Sequence, residues 1–445
     1  MATAKKAAKR TAPAKKAAKK GAARAVPAKK AAKKGAKKGA KKAAPKRAAA
    51  KRSAAPAKKP APPPKSRKAP VRWILTTDSS GAFGVYASGD RVWMSNDSGD
   101  VHVCDLHGEV QRSLKLPYGA KCIIADEHWI YAGTNKGVVY DLTGNSPRAV
   151  YQVDSSAEIL WLDIYQGNLC VAADNGTLSV YDPGEVLLWA DKSKPEGSMW
   201  MVRGDKDGVY VGGSKSVRAF DWGGAKRWSQ PMRGVMFGVQ TERAVYASNS
   251  AGATGFTKDG KKLVECKNGS FPSCATTPDG SRIFGGTWSD AIDCFDADGK
   301  LLWTLETGCD SALSMQYLDE VLYIVTSDGS LAAIDVSHAA IEAALAGNAP
   351  KPKKIKAPHL DPVDPEETAR VETTKDVGDG VLVECFKEKG KLRVRVLSAG
   401  YKSDWFVQFP RDIREAGAKY VVDKVLEATQ GGFYRALGNI RRLQE

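Results

Sequence analysis

Twenty-six lysines and arginines stand within the first seventy residues of this 445-residue chain, with no aspartate or glutamate among them. They come mostly in pairs: Lys5 and Lys6, Lys9 and Arg10, Lys15 and Lys16, Lys19 and Lys20, Lys29 and Lys30, Lys33 and Lys34, Lys37 and Lys38, Lys41 and Lys42. The pattern KKAAKK recurs and then tightens to KKGAKKGAKK. Ammonium groups at this density, with no internal counter-charge, neutralise backbone phosphates and release condensed counterions. The affinity that results is indifferent to sequence and strongly salt-dependent. These cations are therefore the expected nucleic-acid contacts. After Met1, Val26 is the one apolar residue here larger than alanine apart from the prolines, and there is no aromatic, so no core can form and the segment is expected to be disordered. Like charges four residues apart, together with Pro13, Pro27, Pro45, Pro56 and Pro60, oppose a long helix. PAPPPKSRKAP (60–70) reads as a stiffer spacer of polyproline type.

The rest of the chain has the opposite charge. The whole carries +18 and the first seventy residues +26, which leaves −8 for residues 71–445. Within residues 71–340 the balance is 23 basic against 34 acidic residues, net −11. Such a body suits a protein partner better than DNA.

Other residues capable of chemistry are scattered. The eight cysteines include no CxxC pair, and most sit in strand-like apolar runs such as VHVCDL and NLCVAA, as small buried hydrophobes in a reducing compartment would. His102, His107, His128, His338 and His359 share no metal or catalytic spacing. GVYVGGSKS (208–216) imitates a phosphate loop, but Ser214 separates Gly213 from Lys215 and the segment reads as a hairpin. Asp296-Ala-Asp298-Gly299 imitates part of a calcium loop, yet Cys294 occupies the first ligand position and a β-turn is expected. No nucleophile–base pair emerges. The expectation is a non-enzymatic protein with no metal and no cofactor. No apolar run is long enough to span a membrane, and no secretory signal follows the cationic start.

The elements that must carry this chemistry repeat. Strands begin near Arg91, Trp129, Asn168, Gly208, Ala244, Arg282 and Val321, at spacings of 38, 39, 40, 36, 38 and 39 residues. Each is followed by a polar turn and a second strand (VHVCDLHG, GVVYDLTG, LSVYDPGE, VRAFDWGG, ATGFTKDG, AIDCFDADG, LAAIDVSH). Seven units of about forty residues with four short strands apiece predict an all-β, seven-bladed β-propeller over residues 71–338. VRWILTT (71–77) is expected to serve as the outer strand of the last blade, closing the ring.

Three runs, YDPGEVLLW, FDWGGAKRW and FDADGKLLW, share an aromatic residue, Asp, a turn glycine and a tryptophan seven residues after the Asp. Trp189, Trp228 and Trp303 fill the last place, with Trp73 as the counterpart in the closing blade. On these residues the unit resembles the quinoprotein-type propeller repeat more than the WD repeat, and the shared positions read as turn aspartates and inter-blade aromatics. That resemblance raises a quinone-dependent dehydrogenase, but the adjacent cysteines common in such enzymes are missing here. The basic tail (1–70) resembles the Lys/Ala/Pro tails of linker histones and of similar bacterial histone-like proteins, which implies DNA compaction in a nucleoid or nucleus.

Residues 339–374 read as a linker, with a short helix near Ser337–Gly347 followed by a Pro- and charge-rich stretch. Residues 375–445 read as a small α+β module: a hairpin turning at Lys389–Gly390, a third strand in DWFVQFP, an amphipathic helix over IREAGAKYVVDKVLEA and a last strand or turn. Arg393, Arg395, Lys402, Arg411 and Arg414, interleaved with aromatics, make a candidate second nucleic-acid contact, unless Trp405, Phe406, Phe409, Tyr420 and Phe433 simply form the core. The combined expectation is an intracellular DNA-associated scaffold whose propeller recruits a protein. The alternatives are an RNA-binding factor, or a propeller sensor or enzyme with an incidental tail.

Overall fold

The structure, a computed structural model, describes residues 67–79, 81–125, 130–144, 146–183, 186–191, 197–365, 372–410, 413–428 and 432–444. Residues 64–445 form one compact unit.

Six antiparallel four-stranded sheets follow in order, spanning residues 82–115, 120–152, 159–190, 201–231, 237–266 and 273–306. The seventh blade combines Ala312–Leu318, Val321–Thr326 and Leu331–Asp335 with Val71–Thr76 from the start of the body. Ile74 pairs with Ala332 and Leu75 with Leu331, so the two ends of the propeller close the ring as the sequence predicts. The second strand of each blade lies between neighbouring sheets and is buried on both faces. Gly208–Gly212 and Val321–Thr326 are accordingly buried along their whole length. Outer strands face solvent and alternate, as in Lys226–Pro231.

The repeated aspartate, glycine and tryptophan form one joint between blades. The Oδ1 of Asp105 accepts the backbone N–H of His107 and of Glu109, and the Oδ1 of Asp296 those of Asp298 and Lys300. In blade five, Thr257 Oγ1 does the same for Lys261. The tryptophan of one blade lies against the turn glycine of the next, and its Nε1–H donates to a carbonyl two residues before that glycine. Trp73 donates to Leu106 (2.9 Å), Trp189 to Trp222 (3.0 Å) and Trp228 to Lys258 (2.9 Å). The glycine is required twice over. Gly108 has φ +82, and a Cβ there would stand 2.6 Å from the Trp73 ring; Gly224 and Gly260 meet Trp189 and Trp228 in the same way.

Two segments assigned to spacers by sequence add to the propeller. Residues 67–70 lie along blade six, with the N–H of Ala69 on the Glu306 carbonyl (2.6 Å) and the N–H of Glu306 on the Arg67 carbonyl (2.9 Å). After the helix His338–Leu345, capped by Ser337 as expected, Lys353–Lys356 runs parallel to Val71–Thr76 as a fifth strand of blade seven.

The C-terminal module departs from the α+β expectation. Among the described residues it is all β: Glu372–Thr374, Val381–Glu388, Lys391–Val396, Phe406–Gln408, Lys419–Glu427 and Phe433–Leu443. The hairpin turns at Lys389–Gly390, both at positive φ, as read from the sequence. The predicted helix is instead the strand Lys419–Glu427. Its register slips between Val422 and Lys424, so inward residues fall at Tyr420, Val422 and Val425. That bulge stretches a two-residue period to three and imitates helical spacing. Three valines favour the extended form. The last strand pairs with both Lys419–Glu427 and Phe406–Gln408, closing a five-stranded barrel. The barrel rests on blade two: Arg148 donates to the Ile440 carbonyl (3.0 Å), and Gln408 Nε2 to the buried Tyr151 hydroxyl (2.8 Å).

Candidate functional site

The tail cations Lys5 to Lys42 lie outside the described residues, as does Arg411. Of the other candidate contacts, the structure brings two together. Arg393 and Arg395 project from the second barrel strand on its outer face, each 4.7 Å from a phenylalanine ring, Phe406 and Phe386 respectively. Those rings stack at 6.2 Å. Arg395 also bridges Glu384 at 2.7 Å. Lys402 sits over Trp405 at 3.7 Å and pairs with Glu427 at 3.3 Å, an exposed contact of small energetic weight. Arg414 does not join them; its guanidinium serves the carbonyls of Leu392 and Phe409. The barrel core is formed by Phe409, Tyr420, Val422 and Tyr434, whereas Phe386 and Phe406 are half-buried on the outer surface.

A second constellation was not anticipated. A cavity of about 670 Å³ opens on the propeller axis, where the inner strands of all seven blades contribute side chains. Asp163 and Arg203, from blades three and four, line it together with Trp161, Phe237 and Gln240. The Arg203 guanidinium lies 4.9 Å from the Trp161 ring and 5.7 Å from that of Phe237, and its Nε–H donates to the Gly238 carbonyl (2.9 Å). Asp163 does not form an ion pair with it. Its Oδ1 accepts the N–H of Ile164 (3.0 Å) and its Oδ2 that of Gly204 (2.7 Å). The sequence holds a signal for this pair, because ILWLDIY and MWMVRGD place Asp163 and Arg203 directly after apolar inner-strand runs.

Burial pushes the Asp163 carboxyl up to about 6, against the opposing pull of Arg203. A carboxyl raised on folding binds its proton more tightly in the folded state. Asp163 therefore costs nothing below the unfolded value near 3.8, and its cost grows as pH rises toward 6. The full cost is about 3 kcal/mol. Urea midpoints should fall between pH 4 and 6.5 by more in the wild type than in Asp163→Asn; equal slopes would show that Asp163 is not the titrating group.

The remaining candidates are structural. All eight cysteines are buried and unpaired, and burial pushes Cys122 and Cys274 up to about 12, far from a reactive thiolate. His102 is buried against the Ser113 hydroxyl (2.8 Å), with its pKa lowered by burial. Gly208–Gly212 and Ser216–Phe220 form a hairpin, not a phosphate loop. Among the described residues no three His, Cys, Asp or Glu side chains cluster to hold a metal. No helix among them is long and apolar enough to cross a membrane.

Residues 213–342 match the PQQ-type repeat family described as outer membrane protein assembly factor BamB. This agrees with the resemblance carried by the Asp–Gly–Trp runs, over a little under a third of the chain. The WD40 β-propeller domain of Doa1 superposes with a TM-score of 0.52 at 11% identity, covering 61% of this chain and 98% of that one. The computationally designed protein Ika8 gives 0.48 at 14% identity, covering 59% and 99%. At 11% identity the likeness to the Doa1 domain concerns the fold alone. No curated protein matches the sequence.

Proposed function

We propose that this protein is a non-enzymatic scaffold held on nucleic acid by its basic tail, with the propeller as a platform for a protein partner and the barrel as a second contact. The observation that carries the reading is the segregation of charge: +26 within residues 1–70 against −11 within residues 71–340. An acidic propeller repels the polyanion that the tail attracts, so the ring stays available to other partners. A nucleoid or chromatin setting follows from the same chemistry.

The barrel supports the second contact by its connectivity. Its first three strands lie side by side, and the fifth lies between the third and the fourth. This arrangement resembles the small Greek-key barrels whose second- and third-strand face takes oligonucleotides. On that face stand Arg393, Arg395 and Phe406, with Phe386 beside them. Two cations and two rings can meet phosphates and stack on unpaired bases.

The decisive measurement is an electrophoretic shift of the full chain and of residues 64–445 across a salt series, on duplex DNA, single-stranded DNA and RNA. The tail is not the anchor if truncation leaves affinity and salt slope unaltered. The barrel contact is read in the truncated protein, where the tail cannot mask it. There, Phe406→Ala should weaken single-strand binding by about fivefold, at the lower end of what one stacked base contributes. An unchanged shift would return Phe406 to a purely structural role.

A further inference from the structure

We infer that the axial cavity of the propeller is a binding site for a carboxylate that carries a neighbouring N–H or O–H donor on an apolar body. The inference stands apart from the nucleic-acid reading and survives its failure.

Three observations converge. The first is an incompletely used cation. Arg203 has five N–H donors, and Nε–H to the Gly238 carbonyl is its one hydrogen bond among the described residues, where it has no ion pair. Contact with the Trp161 and Phe237 rings holds the guanidinium plane. A fixed guanidinium with its terminal donors unspent matches the two oxygens of a carboxylate. Asp163 does not take that place: it forms no ion pair with Arg203, and each of its oxygens accepts a backbone N–H.

The second is an orphaned acceptor. Gln240 Nε2 donates to the Gly204 carbonyl at 2.7 Å, which fixes the amide's orientation. Gln240 lines the same cavity, and its Oε1 is buried and meets no donor among the described residues. Leaving a buried carbonyl oxygen without a partner costs about 1–3 kcal/mol, so an N–H or O–H arriving with the ligand is favoured.

The third is the wall. Val85, Ile123, Val239 and Met315 supply apolar surface between these polar points, and a cavity of about 670 Å³ lies within the ordinary range for small-ligand sites. An N-acyl amino acid meets all three demands: carboxylate, adjacent amide N–H and side chain. Two sources present that chemistry, a free small molecule and the C-terminal residue of a peptide.

Calorimetric titration of the full-length protein separates them, using N-acetyl-leucine as the free acid and Ala-Ala-Ala-Leu as the peptide. N-acetyl-leucinamide serves as the control lacking the charge. Both acids should bind, with the amide at least tenfold weaker; a preference for the peptide assigns the site to a partner's chain end, and a preference for N-acetyl-leucine to a metabolite. Arg203→Gln should weaken binding at least tenfold, and Arg203→Lys, which keeps charge without the fork, should recover part of it. Gln240→Met leaves Arg203 in place and should also weaken N-acetyl-leucine, while leaving isocaproate, which lacks the donor, unchanged. The inference is overturned if neither acid binds the wild type at millimolar concentration, if the amide binds as well as the acid, or if Arg203→Gln with an unaltered urea midpoint binds like the wild type.

Discussion

Removing residues 1–63 should flatten the salt dependence of DNA binding and abolish high affinity. The truncation point is set by structure: residues 67–70 pair with blade six and belong to the folded body, so a cut at 64 removes cations without opening the ring. The tail's cations cannot all sit on phosphates at once. If about eight do, the log–log slope of affinity against salt is roughly −7, or about four decades between 50 and 200 mM. The truncated protein retains the acidic propeller and a C-terminal segment (373–445) of net +4, too little for such a slope. A filter-binding series at four salt concentrations checks this. A slope still steeper than about −4 in residues 64–445 would place the anchor in the body.

The second large effect belongs to ring closure. Trp73→Ala should destabilise the propeller by about 3–5 kcal/mol, the usual cost of deleting a fully buried large aromatic side chain. Trp73 is 2% exposed, packs against Gly108 and the Tyr323 ring, and bonds to the Leu106 carbonyl. It therefore joins blade seven to blade one from Val71–Thr76, the strand whose pairing with Leu331–Asp335 closes the ring. Trp303 holds the same place in blade six, but the blade it faces has no turn glycine, because Asp335 leads directly into the helix His338–Leu345. Trp303 is only partly buried, and its indole makes no hydrogen bond among the described residues. Trp303→Ala should cost markedly less, about 1–2 kcal/mol. Urea denaturation of both variants decides it, and equal losses would mean that closure has no special weight.

These two tryptophans also mark what could be read without coordinates. Strand starts at Arg91, Asn168, Gly208, Ala244, Arg282 and Val321 coincide with those expected, because two-sided burial writes an uninterrupted apolar run and polar turns punctuate it. Val71–Thr76 was legible as the missing outer strand by count alone. The strand Lys419–Glu427 was not, since its bulge disguises a period of two. Lys353–Lys356 was hidden for another reason: a strand lying on an exposed edge needs no apolar pattern, and KKIK has almost none. The axial cavity was hardest. Trp161, Asp163, Arg203, Phe237 and Gln240 come from three blades, and each is ordinary within its own strand. Only the packing of blades three, four and five side by side makes them neighbours.

Closure of the ring has a temporal side. Arg72 pairs with Asp335 at a separation of 263 residues, so the last blade cannot assemble until nearly all of the propeller has left the ribosome. At about 5–20 residues per second this takes on the order of 13–50 s. Throughout that interval the edge of blade one stays uncovered, while the cationic tail has already emerged in full, beside the ribosome's own polyanion. The tail thus has its first opportunity to bind before the ring it serves exists. Nascent chains halted before residue 331 should accordingly carry a protease-sensitive Val71–Thr76 segment that becomes protected only when Leu331–Asp335 emerges.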